Sequence, residues 1–148
     1  MKNPINKNVF DTRDLIEYKE FLESEICDII NDEINDSEHE ALDIDECIDW
    51  TNKQDEPRCY TADIEIEHYN KIKDFCEELE NYAPDFTYGE AVIHEDYFTE
   101  YCEELLKDCG YIPENFPSWI CLDFEETAEN MKVDYASIDY GNETYYIR

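Results

Sequence analysis

Forty-one acidic side chains stand against eleven basic ones in this chain, a formal net charge of −30 that any fold must hold apart. Self-repulsion of that size opposes compaction. The excess is evenly spread: residues 1–50 hold 16 acids and 4 bases, residues 51–100 hold 14 and 4, and residues 101–148 hold 11 and 3. That evenness excludes an acidic tail on a neutral domain and makes the whole surface negative. A core is still within reach, because 42% of the 148 residues are hydrophobic. The aromatic side chains can each bury roughly 150–250 Å². A folded chain with one real core is therefore expected, and disorder is not.

The apolar residues recur at spacings that place elements along the chain. Residues 1–9 are polar and read as a flexible arm. A helix start follows at residues 10–14, with Asp11 or Thr12 as cap, Asp14 near the positive dipole end and Phe10 as staple. Leu15, Tyr18, Leu22, Ile26, Ile29 and Ile30 predict a helix over residues 13–31, with Glu17, Glu20 and Asp28 on its wet arc. A polar break over residues 31–40 precedes a second helix over residues 41–50. Residues 51–57 hold Pro57 and little that is apolar, the composition of a linker. It divides an acidic helical segment, residues 10–56, from an α+β segment, residues 57–148, within one compact unit. The second segment is predicted to hold a helix over residues 62–82, a short strand over residues 90–94 and a helix over residues 95–109 that stops at Gly110.

Residues 117–148 close the chain as a short helix and a hairpin. In the helix, residues 122–131, Leu122, Ala128 and Met131 share an apolar face, and Asp123, Glu125, Glu126 and Glu129 carry charge around the rest. Val133, Tyr135, Ile138 and Tyr140 lead into Gly141-Asn142, and residues 144–147 run back. Two such residues between β-branched and aromatic ones are a hairpin signal, with Gly141 free to take positive φ. The predicted class is α+β: four or five helices with a small antiparallel sheet that includes the C-terminal hairpin.

The run Leu122-Asp123-Phe124-Glu125-Glu126-Thr127-Ala128-Glu129-Asn130-Met131 resembles the antirestriction motif of the ArdA family, I-D-Y-x-x-x-A-R-D-L. Asp123, Phe124, Ala128 and Met131 match the pattern. Glu129 and Asn130 stand where the family has Arg and Asp. The aromatic-rich last strand and the final Arg148 are similar as well. The resemblance implies a DNA-mimic inhibitor from a phage or other mobile element, acting on type I restriction-modification enzymes in the host cytoplasm. It also implies a homodimer, with Tyr145 or Tyr146 exposed as part of the contact.

The charge points the same way without the motif. Phosphate binding needs basic patches, so a nucleic acid is a poor ligand, whereas a protein that grips DNA is a good one. Duplex DNA carries one charge per ~1.7 Å of axis, so thirty charges correspond to about fifteen base pairs, on the order of 50 Å. The predicted partner contacts are Glu17, Glu20, Asp28, Asp123, Glu125, Glu126 and Glu129. The acidity also fits an adaptor or inhibitor of another basic host protein, such as a CRISPR effector or a nucleoid protein, and it fits salt adaptation. Abundant Ile, twelve Tyr and seven Cys speak against salt adaptation.

Enzymatic chemistry finds no motif. Acid pairs are too common here to signal catalysis, which needs two environments that separate their pKa values. His94 opens a sequence similar to a zinc-protease start, but no second His lies four residues on. The acidic runs near Asp32 and Asp43 lack the glycine and glutamate of a calcium loop. Seven cysteines without a C-x-x-C pair read as reduced, mostly buried thiols. No catalytic residue, cofactor or metal is predicted, and no stretch approaches the ~18 apolar residues of a membrane span.

Overall fold

A computed structural model describes residues 1–34, 40–53 and 60–148 of the chain. The predicted break and linker therefore lie partly outside the described residues. The helices are α1 (Thr12–Ile34), α2 (Ile44–Asn52), α3 (Tyr60–Tyr82), α4 (Phe98–Asp108) and α5 (Phe124–Met131). The strands are β1 (Val9–Asp11), β2 (Ala91–His94), β3 (Ala136–Tyr140) and β4 (Glu143–Ile147). All pairings are antiparallel, in the order β1-β2-β4-β3. The class is α+β, and β3 and β4 form the C-terminal hairpin. Tyr140 pairs with Glu143 across Gly141 and Asn142, and Gly141 takes φ +67° as the turn requires.

Strand alternation sends side chains to both faces of this sheet. Phe10, Val92, Ile138, Tyr145 and Ile147 enter one cluster with Leu15, Leu22, Ile26 and Ile30 of α1 and Ile72, Phe75 and Leu79 of α3. Val9, Ile93 and Tyr146 point the other way, toward Phe98 and Cys102 of α4 and Ala128 and Met131 of α5. The sheet is thus the middle of three layers. Tyr145 is fully buried at the centre of the larger cluster, against the rings of Phe10, Phe75 and His94. Its hydroxyl donates to Glu143 Oε2 at 3.0 Å. That burial removes Tyr145 from the predicted dimer contact, because β4 is an inner strand covered by helices. Tyr146 is half-buried beneath α4 and α5, where its ring packs on Phe98.

The first residues also correct a prediction. Pro4–Asn6 form a 3-10 turn, with the Ile5 N–H donating to Asn3 Oδ1, and β1 begins at Val9. Ile5 and Phe10 are buried in the larger cluster, so much of the stretch expected as a loose arm is packed into the fold. Apolar burial decides this, at roughly 1.5–3 kcal/mol for each such side chain. Asp11 then caps α1, its Oδ1 accepting from the Arg13 N–H at 2.8 Å. Thr12 has a different task. Fully buried, its hydroxyl donates to the Phe86 carbonyl at 2.6 Å and accepts from the Glu90 N–H at 2.9 Å. It ties the start of α1 to the segment that enters β2. Gly89 in that segment has φ +111°, and a Cβ there would lie 2.6 Å from Arg13 Nε.

Other boundaries move because of caps. Helix α2 starts at Ile44 and not at residue 41, since Asp43 and Glu46 make a reciprocal capping box. Residues 95–97 form a 3-10 turn, and α4 starts only at Phe98. Helix α5 starts at Phe124, because the Asp123 side chain accepts from the Glu126 N–H at 3.0 Å and so occupies the cap position. Leu122 consequently leaves the predicted apolar face of that helix and is exposed in the loop before it, whereas Ala128 and Met131 pack inward. Val133 is 85% exposed in a 3-10 turn, and β3 begins three residues later.

Candidate partner-binding surface

The outer arcs of the helices carry the charge. Helices α1 and α3 each have 23 residues, which corresponds to about 34 Å of length. On α1 the exposed acids are Glu17, Glu20, Glu25, Asp28, Asp32 and Glu33. On α3 they include Glu67, Asp74, Glu77, Glu78 and Glu80. The two helices are packed together, and the Tyr69 hydroxyl donates to Glu23 Oε1 at 2.9 Å across their seam. Glu23 thereby serves the fold, while its neighbours on the outer arc face solvent.

The bases do little to interrupt this surface. Among the described residues seven bases pair with a carboxylate: Lys7 with Asp14, Arg13 with Asp11, Lys19 with Glu23, Lys53 with Asp49, Lys71 with Glu67, Lys107 with Glu103 and Lys132 with Glu129. Arg13, hydrogen-bonded to Asp11 through its side chain, holds that carboxyl below the ordinary carboxylate range. Lys71 does the same to Glu67. Such exposed pairs are screened by solvent and contribute little to stability. Their larger consequence is that no cluster of unpaired cations remains among the described residues to receive phosphate.

All seven predicted contact residues are exposed, but the fold does not bring them together. Glu17, Glu20 and Asp28 lie on α1, on one side of the sheet. Asp123, Glu125, Glu126 and Glu129 lie at α5, on the other. Two of the second group also have local duties. The Asp123 carboxylate caps α5, and Glu129 holds Lys132, whose ammonium is shifted upward chiefly by that hydrogen bond. Sequence periodicity reports which arc of a helix is wet, but not which side of a sheet that helix covers.

A feature not anticipated from sequence lies beside α5. Residues 109–123, expected as a connection and the start of a helix, lie against the end of α4 and leave a groove of about 560 Å³. Ile112, Phe116, Ile120, Leu122 and Phe124 line it, with Glu103, Asp108 and Glu114 at its edge. Its available signal was the apolar run Trp119, Ile120 and Leu122 in a stretch without strong periodicity. The groove contains no nucleophile or histidine among its lining residues.

The thiols follow burial. Cys47 and Cys76 are buried, and desolvation pushes them up to about 12 and about 11. Cys109 and Cys121 are exposed, and Cys59 lies outside the described residues. Among the described residues no group of His, Cys, Asp and Glu is arranged to hold a metal ion, and no helix is long and apolar enough to cross a membrane. No family model, characterised protein or solved structure matches this chain.

Proposed function

We propose that this protein is an acidic DNA mimic, a stoichiometric inhibitor without catalytic activity that fills the DNA-binding site of a host defence enzyme in the cytoplasm. One observation carries the reading. Two adjacent helices of about 34 Å, each close to the length of one duplex turn, present exposed carboxylates, while most bases are neutralised locally. Acids three or four residues apart on a helix stand about 5–6 Å from one another, so α1 and α3 together offer rows of negative charge to a channel built for phosphates. The layer of α1, α2 and α3 is the mimic face in this reading.

Such a surface attracts a cationic channel over long range, speeds association and weakens as salt screens it. Type I restriction-modification complexes are the proposed target class, a choice that rests on the ArdA-like run at residues 122–131. The test is competition. The purified chain is mixed with such a complex and labelled duplex DNA. Release of DNA in proportion to added protein, reversed by rising salt, supports the reading. Binding that leaves the DNA in place would instead identify an adaptor, and a direct complex between this chain and DNA would overturn mimicry.

A further inference from the structure

We infer that the groove between α4, α5 and residues 109–123 docks a basic, apolar-anchored segment of a partner protein. Its lining includes the apolar side chains of Ile112, Phe116, Ile120, Leu122 and Phe124. Beside it in sequence, Trp119 is 80% exposed, while Ile120 and Leu122 are 38% and 40% exposed. Three large exposed apolar side chains within four positions have the composition of an interface core. Lys107, the one base among the lining residues, is paired with Glu103, so Asp108 and Glu114 leave the rim negative.

Charge decides among occupants. A second copy of this chain would bring another thirty net negative charges toward an acidic rim. A segment carrying Lys or Arg around one or two bulky apolar residues satisfies both rim and apolar lining. This is the arrangement of an amphipathic helix laid into a groove, where apolar anchors supply affinity and rim charges supply orientation. The docking does not rest on the DNA-mimic reading, because the groove lies on the α4/α5 side of the sheet, away from α1 and α3.

The test uses the full chain and two labelled peptides of equal positive charge. One places Lys and Leu at helical spacing, and the other has Ser for every Leu. At about 0.15 M salt, where exposed charges are screened beyond ~8 Å, fluorescence anisotropy should show the Lys/Leu peptide binding about tenfold tighter or more, a difference of about 1.4 kcal/mol. The double substitution Ile120→Ser and Leu122→Ser should remove that advantage and leave binding of the Lys/Ser peptide unchanged. Val133→Ser, an exposed apolar position in the turn after α5, should change neither.

Equal binding of the two peptides would overturn the proposal, as would a double variant that keeps the advantage. Circular dichroism and the urea midpoint check that the double variant is folded. Should it unfold, amide shifts of the unsubstituted protein decide: changes confined to residues 103–124 support the groove, and changes elsewhere refute it. Sedimentation showing a dimer that the double variant dissolves would assign the groove to a second copy instead.

Discussion

The two faces of the sheet are built differently. On one, α1, α2 and α3 bury a continuous cluster that runs from Ile5 to Ile147. On the other, α4 and α5 cover a buried cluster of Ile93, Phe98, Cys102 and Ala128, with Met131, Tyr135 and Tyr146 half-buried around it. The first face has two helices of 23 residues, and the second has helices of 11 and 8. Long helices can concentrate apolar residues inward while spacing acids outward along their whole length. Short helices joined by residues 109–123 leave apolar side chains uncovered. The lesson is that one acidic surface can hold two kinds of terrain: a charged face above the large core, and an apolar groove above the small one.

The sharpest way to break this comparison is to remove one packed side chain from each face. Tyr145→Ala should cost about 3–5 kcal/mol, the range for a buried aromatic and a large share of the stability of a single domain. Met131→Ala, at the half-buried edge of the smaller cluster, should cost about 1–2 kcal/mol, below the range for a fully buried Met. Urea unfolding of both variants measures the contrast. Equal losses would mean that the two clusters support the fold alike.

Thr12→Val comes next. The valine keeps the shape but leaves the Glu90 N–H and the Phe86 carbonyl without their shared partner. A loss of about 1–3 kcal/mol is expected in the same assay. Because the Thr12 hydroxyl ties the start of α1 to the segment entering β2, an unchanged midpoint would show that the Asp11 cap, the Thr12 N–H bond to the Glu90 carbonyl and packing hold the helix without it.

The charged faces are compared by neutralising three acids on each. Glu17→Gln, Glu20→Gln and Asp28→Asn together should weaken binding to the proposed DNA-binding target about tenfold, or 1.4 kcal/mol. Glu125→Gln, Glu126→Gln and Glu129→Gln together should weaken it less, because α5 lies on the opposite side of the sheet. Each single change should have a small effect, since many charges share the contact. Titration of labelled DNA release reads all of these. A larger loss from the α5 set would move the proposed mimic face to the other side of the molecule.

The smallest effects concern thiols. Under native conditions an alkylating reagent should modify Cys109 and Cys121 well before Cys47 and Cys76, as peptide mapping can check. Burial raises Cys47 and Cys76, so the folded state keeps their protons where the unfolded chain loses them. Their contribution to stability is therefore complete below the ordinary thiol value near 9 and declines as pH rises through the folded values. Burial also raises Tyr145 and Tyr135, which adds to the loss above the ordinary phenol value of 10. Urea midpoints that fall steadily above about pH 9 to 10 are expected, and constant midpoints would contradict the burial of these groups.

Much of this architecture is written locally in the chain. The periodicity of Leu15, Tyr18, Leu22 and Ile26 specifies α1, and Gly141-Asn142 specifies the hairpin, because helix and turn formation depend on neighbours a few residues away. The even distribution of acids likewise leaves exposed carboxylates on helices at both sides of the sheet. What local spacing does not contain is the partner of each apolar face. Local spacing leaves Tyr145 free for a dimer contact, whereas β2 and β3 on either side of β4 enclose it. The spacing puts Asp123 and Leu122 in one helix, whereas Asp123 takes the cap position and leaves Leu122 outside it. The sides of the sheet occupied by α1 and α5, and hence the separation of their acids, follow from long-range strand order and layer packing. Those contacts join residues far apart in the chain, so only the tertiary structure could decide them.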